Sequence, residues 1–210
     1  MKTSELVATL STNPKVSFLA RPTAAISFAV LMSLIAVIAL SLLLLGPRTD
    51  LSGNLAELFH VALTLSIAGP AALIVRDLAV PGRNLKRCFI LAGIPLLLLC
   101  IFAAHEIATS SLLAFHRRAT QESWLTCLWQ VSALAALAFG ILLGGVRQLA
   151  PTDLRRTGMF IGMLAGSIGA LGYCLHDQND SAIFGATVYL AVIATMTILG
   201  SVLGPRALRW

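Results

Sequence analysis

Charged residues are scarce in this chain: Asp, Glu, Lys and Arg make up 11% of its 210 residues, less than half of the roughly 25% usual in soluble globular domains. Apolar residues reach 58% and the mean hydropathy is +0.89. Together these exclude an ordinary soluble fold and point to a membrane protein. Catalytic groupings are missing as well. There is no Gly-rich phosphate loop, no pocket-forming pair of carboxylates and no Ser-His-Asp arrangement in a credible context, so an enzyme is not expected. None of the four cysteines forms a C-x-x-C pair, which removes the zinc-ribbon and thioredoxin signatures. A cleavable signal peptide is not expected either. The first apolar run is too long and passes into Gly46-Pro47-Arg48-Thr49-Asp50 without a small-residue cleavage site, the pattern of a retained signal anchor.

What the chain does have is six apolar segments, near Ala24–Leu45, Leu55–Val75, Cys88–Ala104, Leu125–Val146, Gly158–Leu175 and Ala182–Leu203. Each approaches the roughly 20 residues that cross a hydrocarbon core of about 30 Å. Backbone groups in lipid have no water to bond, so each segment is expected to be a helix and the fold all-α and polytopic. Residues 1–23 then form a polar N-terminal segment, 24–204 a six-helix transmembrane domain and 205–210 a short tail.

The net charge of +6 is best read as a topology marker rather than as a nucleic-acid footprint, and no direct nucleic-acid partner is expected. Twelve of the fifteen Lys and Arg residues fall in the N-terminus, the second and fourth connections and the C-terminus, leaving Arg48, Arg117 and Arg118 on the other side. The positive-inside rule therefore places both termini in the cytoplasm. No segment other than the second has an acidic, basic or His residue at its middle, which argues against an ion-coupled transporter or pump. In the second, Glu57 and His60 stand three residues apart near the outer end and read as a snorkelling interfacial pair.

With this topology Cys127 and Cys174 lie within about one helical turn of the outer face. Cys127 enters segment four between two tryptophans, Ser123-Trp124-Leu125-Thr126-Cys127-Leu128-Trp129. Near the thiols stand His176, Asp177 and Asp180, with His105, Glu106 and His116 in the long outer loop. Thiolate and imidazole suit zinc-like or softer ions, and a thiol pair can instead oxidise to a disulfide. The bland alternative is two small apolar residues at helix ends. No resident cofactor is expected; a transient metal ion at the outer-face cysteines is the one small ligand these donors suit, with His176 and Asp177 as auxiliary ligands. A haem- or quinone-associated membrane redox protein, using His60, His105 or His176, is the competing reading, and a visible spectrum distinguishes it.

Two further features concern packing and partners. In GMFIGMLAGSIGALG, Gly158, Gly162 and Gly166 recur every four residues and predict close helix packing, a theme repeated by Gly140 with Gly144 and by Gly200 with Gly204. At the N-terminus, Thr3 or Ser4 can cap a short helix with Glu5 in its first turn, and Leu6, Val7 and Leu10 share one apolar stripe before Asn13-Pro14 ends it. That stripe fits either the lipid surface or a partner's groove.

Several short motifs in order resemble the NrsF family of anti-sigma factors: Met1-Lys2-Thr3 with Leu6 and Leu10, Arg21-Pro22, Leu45-Gly46-Pro47-Arg48, Ser123-Trp124 followed by Cys127, and Leu203-Gly204-Pro205-Arg206-Ala207-Leu208-Arg209-Trp210. The resemblance runs along essentially the whole chain. It implies a multi-pass bacterial inner-membrane protein that holds an extracytoplasmic-function sigma factor at the cytoplasmic face. It further implies release of that factor when periplasmic-side cysteines sense heavy-metal or oxidative stress. Cys127 matches the first of those cysteines. The family's second cysteine follows the His after segment five, where this chain has Asp177, and Cys174 stands one helical turn earlier on the same expected face. On this reading Leu6, Val7 and Leu10 dock the sigma factor.

Overall fold

A computed structural model describes residues 22–46, 55–78, 123–147, 153–176 and 182–209, together with Leu97, Leu149 and Pro151. The N-terminal stripe of Leu6, Val7 and Leu10, the expected third segment apart from Leu97, Asp177, His105 and the other long-loop donors lie outside the described residues. Within them the chain is helical: α1 (Pro22–Leu45), α2 (Leu55–Leu78), α3 (Ser123–Arg147), α4 (Leu154–Cys174) and α5 (Ala182–Ala207). All five are long and apolar enough to cross a membrane. They match the expected segments one, two, four, five and six.

Helix α4 is the axis of the bundle. Sixteen of its 21 residues are buried, and α1, α3, α5 and α2 surround it, each touching its neighbours in that circular order. Apolarity runs against burial: α1 is the most apolar of the five spans and the least buried, whereas α4 is the least apolar and the most buried. The reason is that lipid tails are as apolar as a protein core, so hydrophobicity does not select the interior position and close packing does. The outward face of α1 accordingly carries Phe28, Leu31, Ile35, Leu43 and Leu44, with Leu43 82% exposed.

Glycines let α4 take that position. A Cβ at Gly158 would strike the carbonyl oxygen of Gly200 and lie 2.7 Å from the Cα of Gly204, and one at Gly166 would lie 2.8 Å from the Cα of Ile193. Gly169 meets Ala135 of α3 as closely, with a built Cβ 2.6 Å from the Ala135 nitrogen. The expected ridges on α4 and α5 are therefore real contacts. Among the described residues Gly140 and Gly144 are not: a Cβ at either meets nothing within 4 Å, and the glycine by which α3 approaches α1 is Gly145, against Ala29.

The ends of α4 are tied differently. At its start Asp153 caps the helix, its Oδ1 accepting from the Arg156 backbone N–H at 3.1 Å while Oδ2 pairs with Arg156 Nε at 3.0 Å. The pair is exposed, so the cap carries most of the effect. Asp153→Ala is expected to cost about 1 kcal/mol, measured as a lower thermal midpoint of the solubilised protein; an unchanged midpoint would show the cap to be dispensable.

Candidate functional site

The helix directions gather the chemistry-bearing residues at the two ends of the bundle. Short connection 148–153 joins α3 to α4, so Cys127 in the second turn of α3 and Cys174 at the last position of α4 both lie at the opposite end. Call this the cysteine end. The arginine end carries Arg76, Arg147, Arg155, Arg156, Arg206 and Arg209 against Asp77 and Asp153 among the described residues. The Nε of Arg76 is buried there with no hydrogen-bond partner.

Both thiols point inward. Cys127 and Cys174 are each 2% exposed, belong to the same apolar core cluster and carry thiols rather than a disulfide. The tryptophans bracketing Cys127 turn the other way, with Trp129 77% exposed. For Trp129, two residues after Cys127, the outward position follows from helical spacing; Trp124, three before it, is 42% exposed in the first turn of α3, and indole rings favour the interface between lipid and water.

A line of rings crosses the cysteine end. His60 meets Tyr189 edge to face with centroids 5.4 Å apart, Tyr189 meets Tyr173 at 6.4 Å, and Tyr173 meets His176 at 6.2 Å. Helices α2, α5 and α4 are thereby joined beside Cys174. His60 is 3% exposed, which corrects its reading as a snorkelling interfacial group: its ring faces inward onto Tyr189 rather than out to water. The side chain of Glu57 lies outside the described residues.

His176 sits just beyond α4, in the turn that follows the C-cap Leu175. Its Nδ1 lies 3.2 Å from the carbonyl oxygen of Gly46. A carbonyl can only accept, so Nδ1 donates and Nε2 remains the nitrogen able to bind a metal ion. Helix α4 ends at Cys174, and Asp177 lies outside the described residues. Among the described residues, no three of His, Cys, Asp and Glu gather into a metal-binding group.

Ser41 makes a cross-bundle contact near Cys174 that the sequence did not reveal. The other buried Ser and Thr hydroxyls bond a carbonyl one turn back along the chain, as Ser33 does to Val30, Thr64 to His60, Thr157 to Asp153 and Ser167 to Met163. Ser41 instead donates across the bundle to the carbonyl oxygen of Gly172 at 2.8 Å. Nothing in the spacing of α1 separates Ser41 from Ser33; only the tertiary position of Gly172 does.

Comparison with known proteins identifies a family. A family model described as "Negative regulator of sigma F", NrsF, matches residues 10–210. A probable anti-sigma-F factor NrsF from Azospira oryzae is 29% identical over 174 residues, covering 81% of this chain and 82% of that protein. No solved structure matches the chain.

Proposed function

The chain belongs to the NrsF family of negative regulators of sigma F, a regulatory and non-enzymatic role, and from that membership we propose that it is an inner-membrane anti-sigma factor for an extracytoplasmic-function sigma factor. It crosses the bacterial inner membrane six times with both termini in the cytoplasm. Two observations support the sixth crossing. Helix α2 runs from His60 at the cysteine end to Arg76 at the arginine end, whereas α3 starts again at the cysteine end. The intervening chain, which contains the apolar run Cys88–Ala104, must return the full height of the bundle. The arginine end is then cytoplasmic and the cysteine end periplasmic.

The sigma factor is held by the N-terminal segment, whose Leu6, Val7 and Leu10 enter a groove on the partner as one helical stripe. Basic groups at the arginine end steer an acidic partner surface toward it. Release begins at Cys127 and Cys174. A soft metal ion displaces the thiol protons and binds the sulfurs, with His176 Nε2 and Asp177 as auxiliary ligands. An oxidant instead takes two electrons and two protons from the two thiols as they join in a disulfide. The observation that carries this reading is the inward burial of both thiols on packed helices α3 and α4 at one end of the bundle. Sulfurs so enclosed cannot gain a ligand without moving those helices. A full switch from capture to release needs about 5.5 kcal/mol of differential stabilisation, within the reach of a disulfide or thiolate–metal bridge.

Cys127→Ser tests it. Ser keeps the size but supplies no thiolate, so a sigma-dependent reporter should stay at its basal level under cadmium stress where the parent protein raises it at least about tenfold, the equivalent of about 1.4 kcal/mol. Induction equal to the parent's would remove Cys127 from the sensing step.

A further inference from the structure

The last turn of α4 and the last turns of α1 cap each other. The carbonyls ending a helix lack intrahelical donors, and for Gly172 the donor is Ser41 of α1 at 2.8 Å. Gly46 follows α1 in the left-handed conformation at φ +77°, a conformation that ends helices and leaves carbonyls to be satisfied. Its oxygen accepts from His176 at 3.2 Å. One turn before Ser41, Val37 fills the place that a side chain at residue 172 would take, its Cγ1 striking a Cβ built there. Val37, Ser41 and Gly46 thus register one face of α1 against residues 172–176. Cys174 stands in the middle of that stretch.

The opposite end of α1 leads to the N-terminus. Ala29 packs on Gly145 toward the arginine end, and the segment bearing Leu6, Val7 and Leu10 enters the bundle at Pro22. Helix α1 also packs along α3, with Ala25, Ile26 and Ser33 buried, while Phe28, Leu31, Ile35, Leu43 and Leu44 face outward; Val37, Ser41 and Gly46 are the contacts that register it against the end of α4.

We propose that α1 is the transmission element, with Ser41 and His176 as positioning residues: the tethers Ser41–Gly172 and His176–Gly46 hold α1 in the capture arrangement, and modification of Cys174 breaks them. With 2% exposure the sulfur has no room for a new ligand, so the turn that carries it must shift and take the Gly172 carbonyl and the His176 ring out of register. Freed of both, α1 moves together with the docking segment. This inference rests on the sensing reading above.

The test uses the full chain in lipid nanodiscs, titrated with its sigma factor in the reduced state, with cadmium(II), and separately with diamide. If the tether exists only in the capture state, Ser41→Ala weakens resting affinity by roughly fivefold, the equilibrium factor of one ordinary hydrogen bond, and leaves the affinity in cadmium equal to the parent's. Ser41→Thr, which keeps the hydroxyl, restores the resting value. General damage to the bundle would lower both affinities together, and that result overturns the inference, as does no change in either. A parent protein that fails to respond to cadmium or diamide overturns the sensing reading and this inference with it. If Ser41→Ala does not fold, hydrogen exchange on the parent decides: faster exchange across residues 37–46 on adding cadmium is expected, and unchanged exchange there overturns the proposal.

Discussion

Gly162→Leu is expected to leave the chain unable to assemble its bundle. A Cβ at this position would strike the carbonyl oxygen of Met196 and lie 2.7 Å from its carbonyl carbon and 3.1 Å from the Cα of Thr197. All three obstacles are backbone, so no side-chain rotation relieves them and α4 and α5 must separate. Separation at residue 162 also opens the contacts at Gly158, Gly166, Gly200 and Gly204, because two helices cannot part at one point of a continuous seam. The cost is about 3 kcal/mol or more, the upper range for overpacking, and it falls on the helix that the other four surround. The measurement is recovery of a monodisperse protein after solubilisation, together with its thermal midpoint. Gly140→Ala is the matched control. With nothing within 4 Å of its Cβ, it is expected to be neutral or to stabilise by about 0.5–1 kcal/mol through the better helix propensity of Ala. Similar losses in both variants would show that glycine content, rather than the α4–α5 approach, governs assembly.

The contrast between those two glycines marks what could be read from the residues alone. Apolar length found α1 through α5 to within a few positions, because in lipid a run of that composition has no alternative to a helix. The ends were read short at Leu154 and Ala207. Polar residues such as Asp153, Arg155 and Arg206 continue or cap a helix beyond the hydrocarbon layer, where hydropathy carries no signal. Which helix sits at the centre was not legible, since membrane interiors are chosen by fit: the Gly158–Gly162–Gly166 ridge suggested close packing, but an equally good spacing at Gly140 and Gly144 faces no partner among the described residues.

At the candidate site the same division holds. Alternation of basic and neutral connections placed Cys127 and Cys174 at one end, and the helix directions put them there. Their inward burial, the edge-to-face contact of His60 with Tyr189 and the bond from Ser41 to Gly172 depend on helix rotation, which a single sequence does not encode in any local pattern. His60 illustrates the cost of missing it. Near the end of an apolar segment an imidazole is expected to reach for water, yet an edge-on tyrosine offers its ring a partner inside the bundle.

Deleting residues 1–20 is expected to abolish co-purification of the sigma factor while leaving the bundle intact. The described helices begin at Pro22, so the deletion removes no part of them, and membrane insertion and the thermal midpoint are expected to stay unchanged. Burying Leu6, Val7 and Leu10 in a partner contributes about 1.5–3 kcal/mol for each side chain, and ordering the peptide offsets several kcal/mol of that total. About three orders of magnitude in affinity then depend on the segment, enough to take a tight complex out of reach of a pull-down. The double substitution Leu6→Ala with Leu10→Ala should reproduce most of the loss, which separates the apolar stripe from the charges of Lys2 and Lys15 removed by the same deletion. If the truncated chain instead retains its partner at full yield, docking by the N-terminal stripe is wrong. The partner would then have to be held at the arginine end, where Arg147, Arg155, Arg156 and Arg206 are exposed, and its retention would fall steeply with salt as screening acts on exposed charges.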